Sequence, residues 1–478
     1  MTEQEGIRKR ERAQSVTRAE EIQAEEQKAR KNQPDKPCHK PRDSLFSWNS
    51  GFDNFTGFVN WAFLLLGIGG FRLLLENFIK YGIRIDPIQW IKLLADGEPN
   101  SEHPAIGLIL YSSVPVVLCL LIEKGLAVEI IPTGSGMFVH IINLLVVILL
   151  PMIVIHFKDG FNIIAASCVC TLYSILFLKL WSYIQVNMWC RTARQNSKSG
   201  LRRQSLSYSE LKSDDAKDSK VSLVQYPDNL NLKDLYYFIF APTLCYELNF
   251  PKTDRIRKRF LLKRIFEVLI CGQIIMVIMQ QYMVPSIKNS LIPFSNMDYP
   301  RTAERLLKLA IPNHLAWLIG FYLMFHSWLN LVGEVLHFAD RSFYNDWWNA
   351  NNIDMFWRNW NLPVHRWALR HLYFPMIEMG YGRMTGSVAV FFISAFFHEY
   401  MVSVPLKTYK VWAFMGMMGQ IPLSYVSKFI ERCYGPRFGN IVFWASIILG
   451  QPLVIMMYFH DYIVVHYGEA LLEDYSHL

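Results

Sequence analysis

The sequence predicts an all-α, polytopic membrane protein of about nine transmembrane helices. Two observations predict it. Of the 478 residues, 52% are hydrophobic and 14% aromatic, and mean hydropathy is positive, which is too apolar for a string of soluble domains. Apolar stretches also recur at spanning length, roughly 20 residues each, near 58–79, 104–122, 135–157, 161–181, 266–285, 312–334, 387–406, 410–427 and 440–463.

The segments between these stretches set the expected topology. Residues 1–43 alternate Arg, Lys, Glu and Gln with almost no apolar side chain, which predicts a disordered cytosolic tail. No cleavable signal peptide is expected ahead of the first span. The core runs over 44–478 and opens with an arm at 44–57. Cations gather in the loop 182–264, among them Arg202, Arg203, Arg255, Arg257, Lys258, Arg259, Lys263 and Arg264, while the C-terminal end carries Glu469, Glu473 and Asp474. The positive-inside rule then places the N-terminus and the loops 182–264 and 335–386 in the cytosol, and the C-terminus across the membrane. The polar stretch 195–222 reads as a flexible cytosolic connector. A net charge of +8 follows from this topology, and no folded basic module points to nucleic acid.

Cysteine usage and missing motifs exclude several chemistries. The eight cysteines lie mainly in spans or on the predicted cytosolic side, which argues against a disulfide framework; Cys168 and Cys170 read as packing residues. There is no Walker lysine loop, no GxGxxG after a strand and no GxSxG elbow. His398 and Glu399 begin like a zinc-protease HExxH, but Val402 stands where the second histidine belongs. No catalytic metal is expected, and no cofactor.

The span 387–406 carries the most unusual residues, His398 and Glu399 within Phe396-Phe397-His398-Glu399-Tyr400. An ionised group at bilayer depth costs on the order of 2.5–3.5 kcal/mol on insertion scales and by default marks a functional site. A desolvated imidazole stays neutral and can take a proton from a hydroxyl. On a helix Ser394 and Val402 share the face of His398, whereas Glu399 points about 100° away, toward substrate, another helix or a buried water. His140 and His326 stand without an adjacent acid and read as interhelical hydrogen bonders. His460 with Asp461 lies nearer an interface, where anchoring is expected.

The stretch 335–386 holds Phe343, Tyr344, Asn345, Asp346, Trp347, Trp348 and Asn349, then Trp357, Arg358, Asn359, Trp360, Asn361, Leu362 and Pro363. An aromatic belt at the headgroups explains the tryptophans but not the Asp and Asn among them. Pro363 can open a short helix with Arg366 and Arg370 on one face, and with Arg383 nearby this set could hold phosphates or simply anchor the chain.

The run Phe343-Tyr344-Asn345-Asp346-Trp347-Trp348-Asn349 resembles the FYxDWWN signature of the sterol and diacylglycerol branch of the membrane-bound O-acyltransferases, and His398-Glu399-Tyr400 resembles that family's catalytic histidine segment. Within the branch, Ala241 to Pro251 and the arm's Ser44-Leu45-Phe46-Ser47 are similar to the acyl-CoA:diacylglycerol acyltransferases. The resemblance covers about 43–466.

It implies a membrane-bound O-acyltransferase fold enclosing a buried reaction chamber. It also implies transfer of an acyl group from acyl-CoA to the free hydroxyl of diacylglycerol, giving triacylglycerol and CoA. His398 matches the catalytic histidine and Asn361 an asparagine of the same chamber; Glu399 and Gln451 match polar residues near the acyl donor. Phe343, Tyr344, Asp346, Trp347, Trp348, Asn349 and Trp360 fall in the acyl-CoA motif region. Tyr373, Ser394, Met417 and Gln420 match the acyl-CoA tunnel, and Arg383 matches a basic site near its nucleotide end. Ser387 stands where the family pattern has arginine. Asn361 and Gln451 are both candidates to donate to the carbonyl oxygen. The implied setting is the endoplasmic reticulum membrane, with homodimers or homotetramers formed through the 44–57 arm and a lumenal C-terminus. A sterol O-acyltransferase of the same fold and a non-catalytic lipid transporter using His398, Glu399 and Asp461 are the alternatives.

Overall fold

Long apolar runs must satisfy their backbone groups internally in a bilayer, so they close as helices. The computed structural model describes residues 34, 44–47, 54–79, 104–158, 161, 163–204 and 223–468. The tail 1–43 apart from Pro34, the middle of the arm, most of the 195–222 connector and the C-terminal acids lie outside the described residues. In chain order the helices are α1 (Thr56–Ile79), α2 (Pro104–Tyr111), α3 (Ser113–Ala127), α4 (Thr133–Phe157), α5 (Ile163–Gln204), α6 (Leu232–Phe240) and α7 (Lys258–Ile278). The short α8 (Val284–Lys288) and α9 (Leu291–Ser295) lead into α10 (Tyr299–Phe321), which continues through a π-helical turn into α11 (Leu329–Val335). Then follow α12 (Ile353–Asn359), α13 (Leu362–Ala368), α14 (Phe374–Glu378), α15 (Arg383–Leu406), α16 (Trp412–Met418), α17 (Gln420–Tyr434) and α18 (Pro436–Tyr467). No strand forms among the described residues.

Among the described residues, six segments are long and apolar enough to cross a membrane: Pro104–Ala127, Thr133–Phe157, Ile163–Asn196, Tyr299–Val335, Arg383–Leu406 and Pro436–Tyr467. Each coincides with a predicted span. The other three expected stretches are helical over most of their length. The 58–79 stretch is helical throughout as α1, with an apolar run over Thr56–Gly69 among the described residues. The 266–285 stretch belongs to α7, whose first turns are charged and which passes into a π-helical turn at Met279–Met283. The 410–427 stretch breaks at Gly419 into α16 and α17.

Two expected loops are corrected as well. The segment 182–264 is not a loop from its start, because α5 continues to Gln204 and its spanning part is 34 residues long. At about 1.5 Å per residue it outruns the roughly 30 Å hydrocarbon layer. Its continuation is held by burial of Tyr183, Val186 and Cys190, and by Asn229 Nδ2 donating to Asn187 Oδ1 at 2.9 Å. Lys179 of α5 donates to the carbonyls of Phe238, Ile239 and Ala241, so its cation satisfies the C-terminal end of α6. The stretch 335–386 is equally structured, containing α12, α13, α14 and a 3₁₀ turn at Trp347–Asn349.

An aromatic core ties this stretch to the spans. Trp317 stacks on Trp360 at 5.4 Å between ring centroids; Trp347, fully buried, packs edge-on to Trp317 and Phe321. Trp348 stacks on Phe46 at 5.1 Å and on Phe58 at 4.8 Å. Such ring pairs add about 0.5–1.5 kcal/mol each beyond the area they bury. The described parts of the arm dock on their own chain. Ser44 shares a hydrogen bond with His326 Nδ1 at 3.1 Å, and Asn349 accepts from the Gly57 amide while donating to the Asn54 carbonyl. A Cβ at Gly57 would overlap the Trp348 carbonyl. Gly57→Val is accordingly expected to cost about 1–3 kcal/mol by overpacking, read as a lower Tm and earlier proteolysis near residue 54; an unchanged Tm would refute the docking.

Candidate active site

α15 ends where Lys407 adopts φ 51°, the left-handed conformation common past helix C-termini. Along it, His398 Nδ1 lies 2.7 Å from the Ser394 carbonyl oxygen. A carbonyl only accepts, so Nδ1 carries the hydrogen. Nε2 of the neutral ring therefore keeps its lone pair. The ring is exposed.

Glu399 points elsewhere, as its position on the helix requires. Its carboxylate accepts from the Tyr458 hydroxyl at 2.6 Å, from the Phe414 amide at 2.9 Å and from the Ser403 hydroxyl. The acid thus pins α15 to α16 and α18 and does not orient His398. Contact with other helices, one of the expected alternatives for Glu399, is present.

Asn361 caps the N-terminus of α13, its Oδ1 accepting from the Val364 amide at 3.2 Å. That fixes the amide end for end and leaves Nδ2 with no protein partner among the described residues. The FYNDWWN segment holds this turn in place, with Leu362 donating to the Phe343 carbonyl at 3.0 Å and Asn345 to the Asn359 carbonyl at 2.8 Å. Trp357, one turn before Asn361, meets Phe391 edge-on at 6.1 Å. Phe391 lies seven residues before His398, on the same face of α15.

Gln451 sits on α18, where its Oε1 accepts from Asn313 Nδ2 at 3.4 Å. Tyr458, the partner of Glu399, lies seven residues further along the same face, roughly 10 Å away along the axis. Asn361 and Gln451 thus each use the side-chain oxygen as an acceptor, which turns the NH₂ the other way.

The remaining predicted site residues divide by burial. Phe343, Tyr344, Trp347 and Trp348 are at most 2% exposed and form core. The Tyr344 hydroxyl meets His326 Nδ1 at 2.8 Å, and burial pushes its phenol up, so it stays protonated as the donor. Asp346 accepts from Asn349 Nδ2 at 3.3 Å. Asp346, Asn349, Trp360, Tyr373, Ser394 and Gln420 keep partial exposure, Met417 is buried and Arg383 is exposed. Tyr373 packs over Gly386, where a Cβ would come within 2.9 Å of its ring. This sets Tyr373 beside the first turn of α15, with Arg383 and Ser387, roughly 22 Å before His398 along the helix. Arg366 and Arg370 each hold a protein partner. Arg366 binds Asp340 at 2.8 Å, and Arg370 donates to the Tyr246 carbonyl at 2.7 Å beneath Trp189.

Two of the other histidines meet acids. His140 binds Glu123 at 3.0 Å, and Arg191 binds the other carboxylate oxygen at 2.8 Å. His460 contacts Asp461, which also accepts from Trp412 Nε1 at 2.7 Å. Sequence reading missed Asn313, Ser403 and Tyr458, the polar partners of Gln451 and Glu399. The one available signal was Asn313 following Pro312 inside an apolar run.

A model of the MBOAT, membrane-bound O-acyltransferase family, matches residues 134–460. The chain is 47% identical to Diacylglycerol O-acyltransferase 1 of Homo sapiens over 436 residues, covering 91% of this chain and 86% of that one. Similarity to the Chlorocebus aethiops protein of the same name is 47% over 430 residues, covering 90% and 84%. The Dictyostelium discoideum protein of that name is 36% identical over 426 residues, covering 88% of this chain and 65% of that one.

Proposed function

The chain belongs to the membrane-bound O-acyltransferase family, and from that premise we propose that it transfers the acyl group of acyl-CoA to the free hydroxyl of diacylglycerol, with His398 as general base. The observation that carries the base is the hydrogen bond from Nδ1 to the Ser394 carbonyl, which leaves Nε2 free to accept a proton. The acceptor rests on nine-tenths coverage at 47% identity to diacylglycerol O-acyltransferases.

The steps balance without a cofactor, because the thioester is already activated. Nε2 takes the hydroxyl proton as the oxygen attacks the thioester carbonyl carbon. Negative charge then builds on the carbonyl oxygen, where Asn361 Nδ2 and Gln451 Nε2 are the donors at hand, each worth about 2.7–4 kcal/mol by analogy with oxyanion holes. Collapse breaks the C–S bond, CoA departs as a thiolate and the imidazolium returns the proton. No acyl-enzyme forms. Arg383 and Tyr373 mark the cytosolic entry for the donor, and diacylglycerol arrives from the bilayer into a chamber around His398.

The setting is a multi-pass membrane protein of the endoplasmic reticulum, with a cytosolic N-terminus and a lumenal C-terminus supported by the cation distribution. Assembly into dimers or tetramers through the arm requires the Ser44 and Phe46 contacts to be exchanged between copies.

Purified protein in detergent, given labelled acyl-CoA with either diacylglycerol or a sterol, is expected to form labelled triacylglycerol and no sterol ester. Sterol ester alone would overturn the acceptor. Lipid flux in vesicles without any ester would overturn the enzyme reading in favour of transport.

A further inference from the structure

The amide of Gln451 is useful to a carbonyl oxygen only in one of its two orientations. With Nε2 forward it donates; flipped, its Oε1 would repel the developing charge. Glutamine's terminal torsion has two wells of similar energy, so a neighbour must choose between them. The side chain that does so is Asn313 of α10. It is 5% exposed, its Nδ2 donates to Gln451 Oε1 at 3.4 Å, and α10 packs along α18.

Both helices are opened at this level. Pro312 precedes Asn313 inside α10, and Pro452 follows Gln451 inside α18. Each proline removes a backbone donor and frees the carbonyl four residues earlier. Two loosened helices joined by one amide pair make the orientation of Gln451 depend on that pair.

We propose that Asn313 is a positioning residue, holding Gln451 with its NH₂ toward the reacting carbonyl. This rests on the reading of Gln451 as a donor to that oxygen, and the test separates the two. The variants are Gln451→Ala, Asn313→Asp, Asn313→Leu and each Asn313 change combined with Gln451→Ala, with kcat and acyl-CoA KM measured across pH. Gln451→Ala is expected to lower kcat by about 10²–10³. Asn313→Leu, near in size, lowers kcat at all pH values with acyl-CoA KM within about twofold. Asn313→Asp behaves differently. A protonated carboxyl still donates to Oε1, whereas the ionised form accepts from Nε2 and flips the amide, so its deficit relative to the parent deepens as pH rises. In the Gln451→Ala background neither Asn313 change lowers kcat further.

Three results would overturn the proposal. If Gln451→Ala matters but both Asn313 variants keep parental kcat, Asn313 does not position it. If the Asn313 changes lower kcat equally with and without Gln451, the role is packing. If Gln451→Ala retains full kcat, the donor reading falls and this inference with it. Should Asn313→Asp fail to fold, the Leu variant and its double decide by the same comparison.

Discussion

His398→Ala is expected to lower kcat for triacylglycerol formation by about 10²–10⁴, the usual contribution of a positioned general base. The ring makes one recorded hydrogen bond, to the Ser394 carbonyl, and faces an accessible space. Its removal therefore leaves the packing of α15 intact, and Tm in detergent should move little while activity is lost. Acyl-CoA KM should change far less than kcat, because the proton transfer is made in the transition state and not in the donor complex. The assay is labelled acyl transfer to diacylglycerol, normalised to folded protein. Turnover within a few fold of the parent would sink the general-base role.

Glu334→Ala has the opposite signature, since it breaks the fold next to the site without touching the chemistry. Glu334 is fully buried and accepts from the Arg257 amide at 2.6 Å, from Arg257 Nη2 at 2.9 Å and from Arg341 Nη2 at 3.0 Å. Arg341 is 4% exposed, and its guanidinium also donates to the Asn330 carbonyl at 2.8 Å. Removing the acid leaves that cation buried without its countercharge, a loss of about 3–5 kcal/mol. Thermal unfolding of the detergent-purified protein should show it. Activity should fall in proportion to the folded fraction, because Arg341 leads directly into Phe343 and the segment that holds Asn361. Replacing both partners, Glu334→Leu with Arg341→Met, should recover much of the loss, since exchanging a buried pair for apolar groups is often near neutral. A single variant with parental Tm would show that the cluster contributes nothing to the fold.

These two expectations differ in how visible they were. His398 stood out because an imidazole beside an acid inside a 24-residue apolar helix breaks the composition rule for hydrocarbon. Helix periodicity alone separated its face from that of Glu399, and the structure keeps that separation. Glu334 gave no such signal, because its partners lie 77 and 7 residues away and charge pairing at that range leaves no trace in local pattern. Asn361 was reached through the resemblance of its surroundings, and its geometry explains why it sits there: it is the N-cap of α13, held by backbone bonds from Phe343 and Asn359 neighbours. Spans were legible where twenty apolar residues ran unbroken. They were less legible at 410–427, where Gly419 divides the stretch into α16 and α17.

The tryptophans of the FYNDWWN segment show the limit most clearly. Their number suggested a membrane belt or a ligand surface, yet Trp347 and Trp348 are fully buried against Trp317, Phe46 and Phe58. Aromatic identity says that a residue has a large face to bury, not which partner buries it. Sequence by itself determined the membrane class, the helical periodicity, the family and the isolated histidine, all of which are local or compositional properties of the chain. Only the tertiary structure decided which end of each amide is free, what Glu399 binds and where the arm docks, because those depend on groups brought together from distant helices.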